Sequence, residues 1–400
     1  MYGVLLNLTM GRLLQVKTTF LVLLLGTTLL EAEMSYRVTN TNFTISQGSL
    51  NPQNNKSYLY NYNRLRLRSD YSEDAFFATF IGDGVNYLGY EYVNASDFSF
   101  VQQLESDTPF KTQTTFYDYN DGVVYAKLYR LYGGYEDENN RVVMGLQNIT
   151  MGVGRLWTPT NLFNPRNTYA LEPDEVFGVA AVSYTRHFGT TTDLMVVASQ
   201  KKDNSFKYAA SLKGFLEFGE LALDVVASTD TLMLGYEAEA NLGESRVEVR
   251  SEGAYIKNGA MIYNPLQPET TEAFFQGLVG ADYGFENGIT LVGEALYSSQ
   301  TFSYEELLFN INSEIAPNLV QSNLYIGATL SYAFNLFLDT SIIYIESFNT
   351  KNSRFVSPTL TYTFNDYNTF TLGAMVQNGA KGSEFGSFEN SYYFRYELAF

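Results

Sequence analysis

The sequence predicts an all-β fold, a transmembrane antiparallel β-barrel of about 18 strands, with about 16 as the alternative. Apolar and polar residues alternate with a period of two in many segments of about ten residues, which is typical of strands with one buried face. The 400-residue chain holds 32 Tyr, 30 Phe and 31 Gly but only 9 Pro, a composition that favours strands. After residue 31, no uninterrupted apolar run approaches the roughly 20 residues that a membrane-spanning helix needs.

The N-terminal segment 1–32 is predicted to be a signal peptide. Arg12 and Lys17 precede the short apolar stretch 18–30, and a small residue follows it. A basic flank, an apolar stretch and a small residue at the cleavage point form a secretory signal. The alternative is an N-terminal membrane anchor, for which the apolar stretch is short. Cleavage would leave a mature barrel domain of residues 33–400.

The clearest alternation lies between residues 206 and 255. Phe206 and Tyr208 begin an apolar row there, and Lys207 and Lys213 belong to the interleaved polar row. In a soluble sandwich or barrel the apolar rows would pack in the interior, whereas in a membrane barrel they face lipid and the polar rows line the lumen. The polar face is small or charged on consecutive strands and aromatic residues cluster at strand ends, so the membrane barrel is favoured.

Short and long connections alternate along the chain and set the number and direction of the strands. The tight turns, expected on the periplasmic side, lie at 218–220, 242–245, 284–288 and 365–368. The long connections, expected on the extracellular side, lie near 84–120, 154–176, 257–272 and 300–319. Counting back from a periplasmic C-terminus gives about 17 strands, the first near 56–68. Residues 35–45 are assigned to one more strand, which puts the N-terminus of the barrel in the periplasm.

The last predicted strand carries an apolar row that reaches the final residue. Its members are Tyr392, Phe394, Tyr396, Leu398 and Phe400. This strand resembles the closing strand of bacterial outer-membrane proteins, whose terminal aromatic residue and alternation the barrel-assembly machinery recognises. The resemblance implies integration in the bacterial outer membrane. It also implies membrane lipid, lipopolysaccharide and the assembly machinery as partners.

The most distinctive stretch is "MGLQNITMGVGRLWTPTNLFNPR", residues 144–166, which contains the only Trp, Trp157. It resembles a motif of porin-like bacterial outer-membrane barrels, in which a Gly-Arg-Gln strand runs into Gly-x-Gly-Arg-x-Trp-x-Pro-Thr-Asp-x-Phe-x-Pro. The matching positions are Gly145, Gln147, Gly152, Gly154, Arg155, Trp157, Pro159, Thr160, Phe163 and Pro165. Leu146 replaces the motif's Arg and Asn161 its Asp, which removes a potential charge pair. The resemblance implies a loop folded against the barrel wall.

Charged residues are predicted to line the lumen or narrow it. The candidates in the loop are Arg155, Arg166, Glu172, Asp174 and Glu175. Those on an early strand are Arg64, Arg66 and Arg68. Those on later strands are Glu217, Asp224, Glu237, Glu239, Arg246, Glu248, Arg250 and Glu252. Opposed basic and acidic walls would create a field across a pore, and channels select by such charges and by diameter. The alternatives are an exposed loop with solvated charges and local charge pairing on the wall.

Other function classes are not favoured. The net charge of −18 argues against a nucleic-acid partner, because neutralising phosphates requires clustered cations. The chain has no Cys for a thiolate metal site, and the acidic turn at 136–138 is interpreted as solvated rather than as a calcium site. His187 is the only histidine and no serine motif accompanies it, so we expect neither an enzyme nor a cofactor.

The sequence therefore predicts a channel for passive diffusion of small hydrophilic solutes or ions, since barrels of about 16–18 strands generally enclose water. Acidic residues outnumber basic ones, which suggests a weak cation preference. The alternative is a non-transport barrel that acts as an adhesin or structural surface protein. A transporter of lipophilic substrates would need a plug, and residues 33–55 are short and polar. Trimers are common among general porins, so the resemblance allows a homotrimer, although no residue fixes a subunit interface.

Overall fold

The computed structural model describes residues 33–49, 56–102, 106–349, 352–386 and 389–400. The predicted signal peptide, 1–32, lies outside the described residues. The strands are β1 (Glu33–Gly48), β2 (Ser57–Glu73), β3 (Phe76–Leu88), β4 (Gln113–Tyr119), β5 (Gly122–Glu136), β6 (Asn140–Gln147), β7 (Val179–Phe188), β8 (Thr192–Gln200), β9 (Phe206–Leu216), β10 (Gly219–Ala227), β11 (Thr231–Asn241), β12 (Val247–Met261), β13 (Thr270–Gly284), β14 (Ile289–Ser298), β15 (Leu324–Ala333), β16 (Leu338–Phe348), β17 (Ser353–Asn365), β18 (Asn368–Gly379) and β19 (Ser391–Ala399).

The helices lie in the connections. They are α1 (Tyr90–Val93), α2 (Ser96–Gln102) and α3 (Tyr304–Phe309), with 3-10 turns at Gly243–Ser245 and Ala316–Asn318. Ser303 caps α3, since its side chain accepts a hydrogen bond from the Glu306 amide and the Glu306 carboxylate bonds back to the Ser303 amide. Among the described residues, no helix has the length and apolar character needed to cross a bilayer.

Eighteen strands form a closed antiparallel wall. The sheet contains 19 strands, but β3 pairs directly with β5, and β4 pairs only with β5 as an addition inside the connection between them. The wall closes where β1 pairs with β19, ending in a hydrogen bond from the Phe400 amide to the Val38 carbonyl (2.9 Å). Closure leaves no unpaired strand edge in the membrane, which is what a membrane-spanning sheet requires. The predicted count of 18 is confirmed.

The first two strands are the two that the alternation of short and long connections predicted for the start of the barrel. Predicted strands 35–45 and 56–68 lie within β1 and β2, which pair with each other over their whole length. β1 runs from the side on which β19 ends, so both ends of the barrel chain lie on one side. The predicted tight turns at 218–220, 242–245, 284–288 and 365–368 lie at that same side of the wall.

Two long connections differ from the prediction. β3 continues to Leu88 and part of the segment 84–120 forms β4, so only 89–112 and the turn at 120–121 remain outside strands there. Likewise, β12 runs to Met261 and β13 begins at Thr270, leaving 262–269 instead of 257–272. The pairing persists because inward side chains remain buried at this level: Met261 is fully buried, and Asn258 donates to the Thr231 hydroxyl (2.8 Å).

Period-two alternation separates two surfaces of the wall. On β9, Phe206 and Tyr208 are about half exposed on the outside, whereas Lys207 is 6% exposed on the inside. The predicted C-terminal row faces outward in the same way, with Tyr392 and Phe400 exposed. An apolar outer band is the arrangement of a transmembrane barrel.

Candidate functional site

The connection between β6 and β7, residues 148–178, folds into the barrel. We call this segment the inner loop. Ile149, Met151, Leu162 and Phe163 of the inner loop are buried and form one apolar cluster with wall side chains, the largest of which include Met233, Ile256 and Phe274. The alternative of an exposed, solvated loop therefore does not describe this segment. Gly145 (φ 131°) and Gly152 (φ 88°) provide backbone conformations that side chains disfavour where the chain turns inward.

Carboxylates on the wall bind the backbone of the inner loop. Glu252 on β12 accepts hydrogen bonds from the amides of Val153 (3.0 Å), Gly154 (3.1 Å) and Thr160 (2.7 Å), and from the Thr160 hydroxyl (2.8 Å). Its side chain has no solvent exposure. A buried carboxylate is costly unless its oxygens are hydrogen-bonded, and bonds to an ionised acceptor are stronger than neutral ones. Glu252 therefore fixes the turn around Thr160.

Two more carboxylates extend this set of anchors along the wall. Glu294 on β14 accepts from the amides of Arg155 (2.6 Å) and Leu156 (2.8 Å). Glu237 on β11 accepts from the Gly152 amide and from the Thr160 hydroxyl (3.3 Å). Glu237 and Glu252 were among the predicted lumenal residues, but Glu294 was not. Its only signal in the sequence was an inward position on an alternating strand.

Beyond these anchors, the inner loop packs against β15 and β17. Trp157 lies near Tyr325 (ring centroids 6.0 Å apart), and its indole nitrogen donates to the Tyr169 hydroxyl (3.3 Å). Tyr169 in turn meets the Phe355 ring edge-on at 5.4 Å. The wall is indented at Gly327, where an added Cβ would lie 2.8 Å from the Trp157 ring and 2.4 Å from Leu156 Cδ1. This glycine is required for the close approach.

The far end of the inner loop meets the basic strand β2. Arg64 forms a two-point ion pair with Glu172 (3.0 and 2.8 Å) and approaches Glu175 at 3.3 Å. Arg66 forms two hydrogen bonds to Asp83 (both 2.7 Å) and two to Glu175 (both 2.8 Å). Planar guanidinium groups suit such paired contacts. We call Arg64, Arg66, Glu172 and Glu175 the constriction cluster.

A β-bulge adds an aromatic ring beside the constriction cluster. Ile81 pairs with Arg130 and Gly82 with Leu128, so Tyr129 of β5 has no partner across the strand. The Arg66 and Arg130 guanidinium carbons lie 4.0 and 4.1 Å from the centroid of the Tyr129 ring, within the range of a cation–π contact. Arg130 also donates to the Val176 carbonyl (2.9 Å) of the inner loop.

The two carboxylates of the constriction cluster differ in acidity. Burial raises the pKa of Glu172, and the charge of Arg64 offsets only part of this effect. Burial also acts to raise the pKa of Glu175, but hydrogen bonds from Arg66 and the charges of Arg64 and Arg66 outweigh it, so the pKa is lowered. Glu175 is thus the more firmly ionised of the pair.

Arg155, the charged residue of the motif, lies over the acidic side of the lumen. Its guanidinium donates to Glu248 (2.7 Å) and lies within 3.7 Å of Glu239 and 3.5 Å of Asp282. Arg250 on β12 is fully buried beneath it and bonds to Glu294 and Glu248 (both 3.1 Å) as well as to Asp282. Most of the predicted acidic wall is therefore occupied by arginines and by loop amides.

The remaining predicted residues are more scattered. Arg68 pairs with Asp70 on its own strand (2.6 Å). In the inner loop, Arg166 donates to the Arg155 carbonyl (3.0 Å) and lies 3.4 Å from Asp174, whose side chain is 83% exposed. Asp224 is buried on the inside of β10.

Glu217 and Arg246 lie outside the lumen. Glu217 falls just beyond β9 in an exposed turn. Arg246 adopts a left-handed conformation (φ 60°) after the Gly243–Ser245 turn and approaches Glu286 of a neighbouring turn at 3.8 Å. Both expectations extended the alternating pattern past the ends of the strands, where the chain turns and the side chains no longer follow the wall.

Cavities lie on both sides of the constriction cluster. One of about 210 Å³ is bounded by Lys127, Gln113 of β4 and the inner loop. Another of about 360 Å³ lies toward the chain ends and includes Arg37 and Arg395. Arg64, Glu172 and Glu175 line both. The constriction cluster therefore lies between these two cavities. Among the described residues, no group of three or more His, Cys, Asp or Glu is placed to hold a metal ion.

The fold is shared with solved barrels of very different sequence. No family model matches the chain, and no curated protein matches it. OccAB1 of Acinetobacter baumannii aligns with a TM-score of 0.60 at 10% identity, over 92% of this chain and 96% of that one. A BenF-like porin from Pseudomonas fluorescens gives 0.55 at 12% identity, over 92% and 99%. Pseudomonas aeruginosa OpdK, solved with vanillate, gives 0.55 at 8%, over 92% and 98%. The similarity extends over the whole barrel.

Proposed function

We propose that the protein is a bacterial outer-membrane channel for passive diffusion of small hydrophilic solutes or ions. The observation that carries the proposal is the constriction cluster, of which Arg64, Glu172 and Glu175 line cavities on both sides. A barrel with a merely structural role would have no need to place paired charges between two water-accessible cavities. The similarity in fold to a BenF-like porin supports the same function. Signal cleavage at residue 32 and insertion through β19 by the assembly machinery remain predictions.

We further propose a weak preference for cations. The inner face of β10 to β14 carries more carboxylates than arginines or lysines. Its carboxylates are Glu220, Asp224, Glu237, Glu239, Glu248, Glu252, Glu272, Asp282 and Glu294. On the same face Arg250 is basic, and Arg155 of the inner loop adds a second positive charge. An acidic excess on the wall around a pore favours cations.

Planar-bilayer recording of the refolded mature chain in a KCl gradient tests both parts. We expect discrete conductance steps and a reversal potential whose sign shows that potassium permeates more readily than chloride. Steps with a chloride-selective reversal potential would overturn the cation preference alone. A further outcome is a refolded protein that is rich in strands and heat-modifiable on gels, as a folded barrel is, and yet gives no conductance steps. That result would overturn the proposed channel function and support the alternative of an adhesin or structural barrel.

A further inference from the structure

The outer face of β1 and β2 carries four asparagines where the rest of the wall is mainly apolar. Asn40 and Asn42 of β1 and Asn61 and Asn63 of β2 alternate with inward residues such as Thr41, which is 2% exposed. We call these four residues the asparagine patch. They form two diagonal cross-strand pairs, Asn40 with Asn63 and Asn42 with Asn61, each with two reciprocal amide hydrogen bonds of 2.9–3.2 Å. We call these pairs rungs, although the residues directly opposite each other are Asn42 and Asn63.

The asparagine patch lies at the level of the apolar band. In the pairing of β1 with β19, Asn40 is opposite Leu398 and Asn42 opposite Tyr396, both members of the outward C-terminal row. Thr44 and Ser46 continue the polar row on β1. On β3, Asn86 lies opposite Asn63 and accepts a hydrogen bond from the Tyr119 hydroxyl (2.8 Å). The polar surface therefore spans three neighbouring strands.

The diametrically opposite wall has a different outer face. β12 is nine wall strands away from β2, and it and its neighbours present mostly apolar side chains there. These include Leu221, Leu223 and Val225 on β10, Leu232, Leu234 and Tyr236 on β11, Val249 and Tyr255 on β12, and Phe275 and Val279 on β13. Acyl chains offer no hydrogen bonds, so polar groups facing them carry a free-energy cost. The amide-rich face is thus poorly suited to lipid alone.

We propose that the asparagine patch is the contact surface between two or more copies of this chain in the membrane. Each side-chain amide has two donor hydrogens and an oxygen with two lone pairs, and the internal rungs use only part of them. Asn61 also donates to the Phe43 carbonyl (2.8 Å), so the donors left for a partner belong to the other three asparagines. A surface of amides is complementary to itself, as a contact between identical subunits requires. None of the patch residues is charged, so a phosphate-bearing lipid headgroup finds no cationic partner among them.

Small residues beside the asparagine patch favour close approach of a second barrel. Gly84 of β3 is exposed, and a Cβ added there would meet only the Leu65 carbonyl oxygen, at 4.0 Å. Its partner across the strand on β5 is Ala126. Membrane protein interfaces combine such small residues with hydrogen-bonding side chains. The face therefore offers both shape and polar groups to a partner of the same kind.

The primary test compares the oligomeric state of three refolded full-length proteins in mild detergent. The first is the wild type, and the second is the quadruple variant N40L/N42L/N61L/N63L, which removes both rungs completely. The third is Y236F/S251A, which removes the outward Tyr236–Ser251 hydrogen bond (3.1 Å) from the opposite wall. We expect the wild type and the control to be oligomers and the quadruple variant to associate roughly tenfold more weakly. A monomeric wild type, or an equally oligomeric quadruple variant, overturns the proposal.

A cross-linking test covers the case in which the quadruple variant fails to fold. The natural chain has no cysteine, so each variant carries a single thiol. Asn63→Cys and Ser251→Cys are oxidised in vesicles and separated on non-reducing gels. We expect the Asn63→Cys protein to form a cross-linked dimer band and Ser251→Cys to remain uncross-linked. Equal cross-linking of the two variants, or none in either, contradicts the inference whether or not the channel conducts.

Discussion

Glu252 and Thr160 are joined by two hydrogen bonds, from the Thr160 amide (2.7 Å) and from its hydroxyl (2.8 Å) to the same carboxylate oxygen. They connect β12 to the inner loop. Because the same carboxylate also binds the amides of Val153 and Gly154, it is the most heavily bonded of the wall anchors. Glu252 therefore holds both ends of segment 153–160 against the wall.

Replacing Glu252 by Gln should loosen the inner loop. The side-chain amide of Gln has only one acceptor oxygen, and its nitrogen would face the donor groups of the inner loop. We therefore expect the free energy that holds the inner loop against the wall to fall by roughly 2–3 kcal/mol. Trp157 is the only tryptophan and reports this directly. Its emission should shift to the red at a lower urea concentration than in the wild type, while the strand signal persists. Glu217→Gln, in an exposed turn, is the matched control, and equal shifts in both proteins would count against the anchor.

Gly327→Val should displace the inner loop by volume alone. Its side chain would occupy the space of the Trp157 ring and of Leu156. We expect a red-shifted Trp157 emission and a larger single-channel conductance, because the displaced segment no longer narrows the lumen. Gly293→Val is the control, since an added Cβ there meets nothing within 4 Å. If both variants conduct like the wild type, the loop does not restrict the pore.

Glu172→Gln combined with Glu175→Gln should shift the pore toward anions. The double change leaves Arg64 and Arg66 with fewer counter-charges between the two cavities. We expect the chloride-to-potassium permeability ratio to rise several-fold, as read from the reversal potential in a salt gradient. Asp174→Asn removes an exposed carboxylate between the two and should change the ratio little. A similar shift in that control would place selectivity outside the constriction cluster.

The connection between β18 and β19 should become less stable as pH rises. Burial raises the pKa of Glu384 to about 7, and the Tyr325 hydroxyl donates to its carboxylate. An opened connection would return this group to its usual value near 4.5. The connection packed against the barrel therefore binds a proton on Glu384 more tightly than the opened connection does. The stability that this proton adds to the packed form is complete below about pH 4.5 and is lost as pH rises to about 7.

Hydrogen exchange of the amides of residues 380–386, corrected for the effect of pH on the intrinsic exchange rate, measures this change. Protection should fall between pH 5 and pH 8 by up to about 3 kcal/mol in opening free energy. Glu384→Gln cannot ionise and should keep its protection across the range. The amides of Leu360 and Tyr362 on β17 serve as an internal reference, because these residues lie toward the opposite end of the wall from the connection that contains Glu384. A wild type without pH dependence would show that the carboxyl is solvated.

The wall could be predicted from the sequence because period two, turn residues and the order of short and long connections act locally. Even β1, whose pattern is weak, follows from the requirement that both chain ends lie on one side. β4 was not predicted because it pairs with one neighbour only and its pairing depends on where the connection folds. The inner loop's anchors were only partly predictable. Glu294 and Glu252 lie on different strands, and only the tertiary structure brings them to one segment.

The distribution of the inner loop's partners along the chain also sets an order of assembly. One partner, Arg64, belongs to the second strand, whereas Glu294 belongs to the fourteenth strand, 230 residues later. A partly inserted intermediate therefore lacks one group of contacts or the other, and loop closure over such distances is slow compared with hairpin formation. The inner loop should therefore reach its final position last. Newly inserted molecules should first have a wide lumen that permits unselective permeation, and selectivity should follow when the loop is in place.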